Sequence, residues 1–219
     1  MAEIKTQRAS FQEDVAEKTK AKVTENVNEV EIQGKLVHKF VTDKATLLTV
    51  NTGRATTVPN YPKVVFFGDQ KDEAAKFEVG DNVRIIGNIQ SSKRNPAIKN
   101  QVTLSVFGET IAPATTQFEQ NFGVSGVYAA PLNQFKLAGT IVSIDIPNKN
   151  LVRLTVRCVK NNRISFVQLV YFSKFPEKIV AEHLPGDFVR VLGSVQTTKQ
   201  EKNGEMRYYQ SYVVTELHK

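Results

Sequence analysis

The sequence predicts a mainly β protein that consists of two tandem copies of one small barrel. The first observation is an internal repeat, since residues 80–94 recur as residues 186–200 at a constant offset of 106. The matched residues are Gly80, Asp81, Val83, Arg84, Gly87, Gln90 and Lys93, and then Gly186, Asp187, Val189, Arg190, Gly193, Gln196 and Lys199. A repeat this long is a whole small domain rather than a solenoid unit. The second observation is period-two alternation of apolar and polar residues, which is typical of half-buried strands.

The first copy begins where the alternation begins. Val30, Ile32, Gly34 and Leu36 alternate with polar residues after Glu29, which predicts the first strand. Further strands are predicted over residues 46–51, 61–67, 82–90 and 101–109, with a short helix over residues 69–77. The fourth strand contains Gly87, and a glycine inside a strand usually marks a bulge or a sharp bend.

The second copy repeats this order. Strands are predicted over residues 135–145, 151–159, 164–172, 187–198 and 207–217, with a short helix over residues 176–183. Three strands, a helix and two strands are the order of the OB-fold, a five-stranded Greek-key barrel. Another small barrel, such as an SH3-like one, is the alternative. The helix after strand three and the glycine in strand four favour two tandem OB-folds.

Four segments follow from this reading of the chain. Residues 1–28 are a charged N-terminal arm, in which Ser10 and Glu13 form a capping signal for a short helix. Residues 29–112 form the first OB-fold and residues 134–219 the second. Residues 113–133 form a linker that contains prolines, glycines and polar residues.

The charge is distributed unevenly between these segments. The net charge of +7 comprises zero in residues 1–28, +2 in residues 29–112, −1 in residues 113–133 and +6 in residues 134–219. The second copy is therefore the more electropositive one, which favours a polyanion as partner. No apolar run is long enough to span a bilayer, and the N-terminus lacks the apolar region of a signal peptide. With a single cysteine, Cys158, these features predict a cytoplasmic protein.

Two segments resemble the bacterial single-stranded DNA-binding (SSB) proteins. Tyr-Pro-Lys-Val-Val-Phe-Phe-Gly at residues 61–68, followed by a helix and Val-Gly-Asp-Asn-Val-Arg-Ile-Ile-Gly at residues 79–87, is similar to the core of that family. The second copy is similar again at residues 166–172 and 186–197, and residues 202–216 resemble the family's closing hairpin. The resemblance implies OB-folds that bind single-stranded DNA without catalysis.

The chain departs from the family pattern in three ways. It has no tryptophan, and Tyr61 and Phe166 occupy the position where a base-stacking Trp often lies in the family. It ends in Thr-Glu-Leu-His-Lys rather than an acidic tail, which leaves the recruitment of replication proteins through the C-terminus in doubt. Two barrels in one chain leave both a homodimer and a monomer open. The divergence indicates a plasmid- or phage-encoded member.

The candidate binding residues follow from what an unpaired strand exposes, namely flat bases and charged phosphates. Strand two of the second copy alternates between an apolar face, with Val152, Leu154, Val156 and Cys158, and a polar face, with Arg153, Thr155 and Arg157. By resemblance, the stacking residues are Tyr61, Phe67, Phe166 and Phe172, with Lys63 on the face of Tyr61. Val65 shares a face with Phe67, so exposure of Phe67 is expected to need a distortion at the strand end.

Further basic and aromatic candidates lie on strand four and in the closing hairpins. Arg84 and Arg190 occupy equivalent places and either contact the nucleic-acid backbone or pair with nearby acids. The loops after strand four contribute Lys93, Arg94 and Lys199, and the last strand contributes Arg207, Tyr208 and Tyr209. Long basic loops at this point can fold over a bound strand.

No pattern of a catalytic or metal site is present in the sequence. The three histidines have no ligand-like spacing, no nucleophile motif or phosphate-binding loop is found, and no cofactor is expected. The predicted function is non-catalytic coating of single-stranded DNA, with little sequence preference, in replication, recombination, repair or DNA transfer. RNA remains an alternative ligand. The rival function is an OB-fold accessory subunit that binds protein in a replication or conjugation complex.

Overall fold

The computed structural model describes residues 26–53, 60–93, 102–114, 131–202 and 205–219. In the first copy, the elements are β1 (Val27–Val41), β2 (Ala45–Asn51), β3 (Lys63–Phe67), α1 (Asp69–Ala75), β4 (Asn82–Lys93) and β5 (Val102–Pro113). In the second copy, they are β6 (Leu132–Asn148), β7 (Leu151–Lys160), β8 (Arg163–Phe172), α2 (Pro176–Glu182), β9 (Phe188–Lys202) and β10 (Glu205–His218). The predicted helix near Ser10 and most of the linker lie outside the described residues.

Each copy closes into a five-stranded barrel. In the first copy, β1 pairs with β2 and β4, β2 pairs with β3, and β4 pairs with β5, all antiparallel. A parallel contact between β3 and β5 closes the ring. The second copy has the same pairings among β6 to β10, including the parallel contact between β8 and β10. The predicted mainly β fold with two tandem OB-folds is therefore confirmed.

Alternation of apolar residues fills the interior of each barrel. The first core contains Ile32, Leu48, Phe66, Ile85 and Ile89, all fully buried. The second core contains Phe135, Leu154, Leu169, Val191 and Tyr212, and the rings of Phe135 and Tyr212 meet edge to face at 6.1 Å. Because the apolar side chains point inward, the polar residues between them lie on the outer faces of the strands.

The repeated Gly-Asp dipeptide is one turn formed twice. Gly80 has φ of 108° and Gly186 has φ of 98°, a backbone region that glycine adopts readily. The following aspartate accepts a hydrogen bond from the backbone three residues earlier, from Glu78 to Asp81 at 2.7 Å and from Leu184 to Asp187 at 2.6 Å. The sequence repeat therefore reflects a turn that is present in both copies and that directly precedes the fourth strand of each barrel.

The glycine of strand four marks a bend, as predicted. The β4–β5 register shifts between Ile86 and Gly87, so a bulge lies at this point. A Cβ atom on Gly87 would lie 2.1 Å from the carbonyl oxygen of Phe107. On Gly193 it would lie 2.3 Å from the ring of Phe135. Only a residue without a side chain fits either position.

The two barrels share one sheet because β1 pairs with β6. The pairing is antiparallel from Val27 opposite Ala138 to Gln33 opposite Leu132, with Val30 opposite Phe135 at its centre. Val30 and Phe135 are equivalent positions of the two copies, so a pseudo-two-fold axis passes between them. β1 and β6 both begin about two residues before the predicted copy boundaries, because their first residues take part in this pairing.

Two equivalent asparagines extend the ladders next to this axis. The side chain of Asn28 accepts a hydrogen bond from the backbone N–H of Ile89 at 2.8 Å and donates one to its carbonyl at 2.7 Å. Asn133 makes the same two bonds to Val195, at 2.9 and 2.7 Å. Each side-chain amide thus replaces the backbone hydrogen bonds that the next residue pair of the β1–β4 or β6–β9 ladder would make.

Candidate nucleic-acid interface

The outer face of β7 and β8 places a cation directly opposite an aromatic ring. Val152, Leu154, Val156 and Cys158 are buried, so Arg153, Thr155 and Arg157 lie outward as predicted. Arg157 pairs in register with Phe166, whose side chain is 42% exposed. Phe172 lies on the same strand face as Phe166 and is 63% exposed. This face therefore offers rings and a guanidinium to solvent.

The two arginines of β7 are not equivalent. Arg153 donates two hydrogen bonds to Asp145 on β6, at 3.1 and 2.6 Å. The bond from Arg153 lowers the pKa of the Asp145 carboxyl, so this pair stays ionised and mutually neutralised. Arg157 is exposed and has no ion-pair partner among the described residues. Of the two, Arg157 is the cation that is open to a phosphate.

The equivalent face of the first copy exposes Phe67 without distortion. On β3, Val64 and Phe66 are buried, whereas Lys63 and Phe67 are exposed and Val65 is half-buried on their side. The expectation that Phe67 needs a distorted strand end was wrong, because Val65 belongs to the outer face and not to the core. Tyr61 is half-buried and precedes β3, which begins at Lys63 rather than at Tyr61.

A contact between the two copies, which we call the first seam, brings together three of the predicted binding residues, Lys63, Lys199 and Tyr208. The Nζ of Lys63 lies 5.7 Å from the ring centroid of Tyr208, and the backbone N–H of Lys63 donates to Gln210 at 2.9 Å. Lys199 is exposed and pairs in register with Tyr208. Residues of β3 and of the β9–β10 hairpin thus form one basic-aromatic cluster. Tyr209 is also exposed, since successive residues of the hairpin point to opposite sides.

A second, pseudo-symmetric seam joins the turn between β7 and β8 to the first copy. Lys160 makes an ion pair with Glu109 at 2.8 Å, and the guanidinium of Arg163 lies 5.6 Å from the ring centroid of Phe107. The backbone N–H of Phe166 donates to the hydroxyl of Ser91 at 3.0 Å. A cavity of about 130 Å³ opens here, lined by residues of both copies that include Gln90 and Arg163.

Sequence reasoning missed Arg163 and Phe107 as surface residues of this seam. Arg163 follows Asn161 and Asn162, whose positive φ values form the tight turn between β7 and β8. The Asn-Asn pair between two alternating segments signals that turn. No signal in the sequence predicts that this turn packs against β5, because that contact depends on the pairing of β1 with β6.

Arg84 and Arg190 differ although the repeat aligns them. Arg84 makes an ion pair with Glu31 at 2.6 Å. The position equivalent to Glu31 holds Lys136, and Arg190 is exposed with no ion-pair partner among the described residues. Arg84 therefore pairs with an acid, whereas Arg190 is unpaired as far as the described residues show and is open to a phosphate.

For three of the predicted binding residues, the structure does not describe the side chain. Arg94 lies outside the described residues. Lys93 pairs with Val102 and Arg207 with Gln200, but only the backbone of these two candidates is described.

The described residues contain no group of three or more metal-ligating side chains. Cys158 is buried, and burial raises the pKa of its thiol to about 11. Because the thiolate is the reactive form, a thiol with so high a pKa is unsuited to act as a nucleophile. Neither helix in the described part of the chain is long and apolar enough to cross a membrane.

The fold and these faces define a tandem OB-fold protein whose outer sheets carry exposed cations and exposed rings. No protein-family model matches the chain, and no curated protein matches it significantly. Among solved structures, the wild-type single-stranded DNA-binding protein of Thermus aquaticus is similar, with a TM-score of 0.59 and 19% identity. The match covers 89% of this chain and 93% of that one. A deletion mutant of the same protein that carries R190A gives a TM-score of 0.60 and 19% identity, covering 89% of this chain and 94% of that one. The shared feature is the fold.

Proposed function

We propose that this chain is an SSB-type, non-catalytic single-stranded DNA-binding protein that coats unpaired DNA with little sequence preference. The observation that carries the proposal is the outer face of β7 and β8, where Arg157, which has no ion-pair partner within the described part of the chain, lies opposite exposed Phe166. Strands two and three are the face with which OB-folds bind oligonucleotides. A binder without sequence preference needs a ring for each base and a cation for the phosphates.

The first seam supports the same function. Lys63, Tyr208 and Lys199 come from both copies and repeat the combination of ring and cation. A strand that follows Arg157 and Phe166 and then this cluster would contact both barrels. The fold shared with the Thermus aquaticus protein adds support. Roles in replication, recombination, repair or DNA transfer, a cytoplasmic location and a homodimer belong to the same proposal.

The test is a fluorescence titration of labelled oligo-dT of about 32 nucleotides, twice the largest site of one OB-fold, across a salt series. The logarithm of the binding constant is expected to fall with the logarithm of salt by about 0.7 for each phosphate contacted. The proposal would be refuted if, at low salt, no binding of oligo-dT were detected at protein concentrations below the micromolar range. Oligo-U in the same titration separates DNA from RNA preference.

The repeat supplies a matched pair of variants for the phosphate contacts. Arg190→Gln is expected to flatten the salt slope by about 0.7, because the Arg190 side chain is exposed and makes no ion pair with any residue that the structure describes. Arg84→Gln is the control and should leave the slope unchanged, because Arg84 is already paired with Glu31. Equal effects of the two variants would contradict the assignment.

The base contacts have their own variant. Tyr61→Ala combined with Phe166→Ala removes the two rings at the position of the family's tryptophan. If each ring stacks a base, at roughly 1–3 kcal/mol per base, the two losses sum to at least about 2 kcal/mol, so affinity falls at least about thirtyfold while the salt slope stays the same. Unchanged affinity would place the stacking residues elsewhere.

A further inference from the structure

The two copies have diverged at the same row of their outer sheets. In each copy the row runs in register across strands one, two, three and five of the barrel. In the first copy it consists of Phe40, Leu47, Val65 and Phe107, which we call the apolar row. In the second copy the equivalent residues are Asp145, Arg153, Val170 and Val213. An apolar cross-strand pair in one copy thus replaces an ion pair in the other.

The apolar row is open to solvent. Phe40 is 55% exposed and Leu47 is 38% exposed, although neither has a polar group to hydrate. Phe67 lies next to Val65 on the same face, is 47% exposed and stacks on Phe107 with ring centroids 5.4 Å apart. Several apolar and aromatic side chains that adjoin on one surface are typical of a binding site.

Cations border the apolar row rather than lie within it. Arg163 of the second copy covers the ring of Phe107, and Lys63 lies on the same face of β3 as Val65. Ion pairs occupy cations in both copies, but the excess of basic over acidic residues is +2 in residues 29–112 and +6 in residues 134–219. The pairs involve Lys39, Lys71, Lys76 and Arg84 in the first copy and Arg153, Lys160, Lys178 and Lys219 in the second. The equivalent of Arg84 in the second copy, Arg190, has no such partner among the described residues.

We propose that the apolar row carries bases of the bound strand, while phosphate neutralisation falls mainly on the second copy. This inference rests on the proposed function. Unpaired bases fit the row because they are flat and uncharged, and the bordering cations suit the phosphates of the same strand as it crosses between the copies. A purely apolar protein segment carries no anionic group that could pair with the cations at the edge of the apolar row.

The second copy supplies the design of the test. Phe40→Asp combined with Leu47→Arg installs the Asp145–Arg153 pair at the equivalent place, keeps the net charge and removes two apolar side chains. Because the second copy accommodates this pair with two hydrogen bonds, the fold is expected to survive, and circular dichroism with a urea melt checks it. The reverse exchange, Asp145→Phe with Arg153→Leu, is the matched control in the other copy.

The first exchange is expected to weaken binding of oligo-dT at least about tenfold with an unchanged salt slope. An oligonucleotide of equal length without bases retains its phosphates and should bind the variant and the wild type equally. The reverse exchange should bind oligo-dT at least as tightly as the wild type. These results together support the division between the copies.

Other outcomes overturn it. If the wild type binds oligo-dT and the first exchange binds it equally well, the apolar row holds no bases, and a protein partner becomes its occupant. If affinity and salt slope fall together, the row acts through phosphates and the division is wrong. If the wild type itself does not bind, the proposed function fails first and this inference fails with it.

Discussion

Replacing Asn28 by leucine removes a side chain that completes a strand ladder. Asn28 is 4% exposed, and its amide satisfies both the N–H and the carbonyl of Ile89. Leucine retains most of the volume but offers no polar atom, so two backbone groups in a buried strand lose their partners. A buried unsatisfied group costs about 1–3 kcal/mol. The expected loss in the free energy of unfolding is therefore about 2–6 kcal/mol.

The measurement is urea denaturation followed by far-ultraviolet circular dichroism, with the slope compared between variants. A shift of the midpoint at constant slope reports stability alone. Asn133→Leu is expected to cost as much, because Asn133 makes the same bonds to Val195. Asn82→Leu is the control, since Asn82 is exposed, and should change stability by less than about 0.5 kcal/mol. A loss below about 1 kcal/mol for Asn28→Leu would refute the account of the ladder.

Two further predictions concern other buried positions. Gly139→Ala should lower the thermal midpoint, because its Cβ would lie 2.3 Å from the carbonyl oxygen of Arg157, and backbone shifts of this kind cost about 1–3 kcal/mol. A midpoint equal to that of the wild type would show that β6 and β7 can separate at no cost. Cys158 should not react with a thiol reagent at pH 8, because the thiol is buried and its pKa is raised to about 11, and it should react once urea unfolds the chain. Rapid labelling of the folded protein would contradict its burial.

The sequence determined each barrel because the signals for its elements are local. Period-two alternation placed Val152, Leu154 and Val156 in the core and Arg157 outside it, as the structure confirms. The repeated Gly-Asp dipeptide marked the turn before each fourth strand, and the glycine inside that strand marked a bend. Such features depend on a residue and its near neighbours, so they can be found without knowing where the rest of the chain lies.

The tertiary structure alone decided how the two copies meet and which charges are free. Nothing local predicts that β1 pairs with β6, because either strand edge could face solvent or another chain. Arg84 and Arg190 are identical in the repeat, yet Arg84 is neutralised by Glu31, whereas the second copy has Lys136 at the position equivalent to Glu31. The cluster of Lys63 with Tyr208 joins residues far apart in the chain. Cross-strand partners are set by register, and register is fixed only when whole sheets pack.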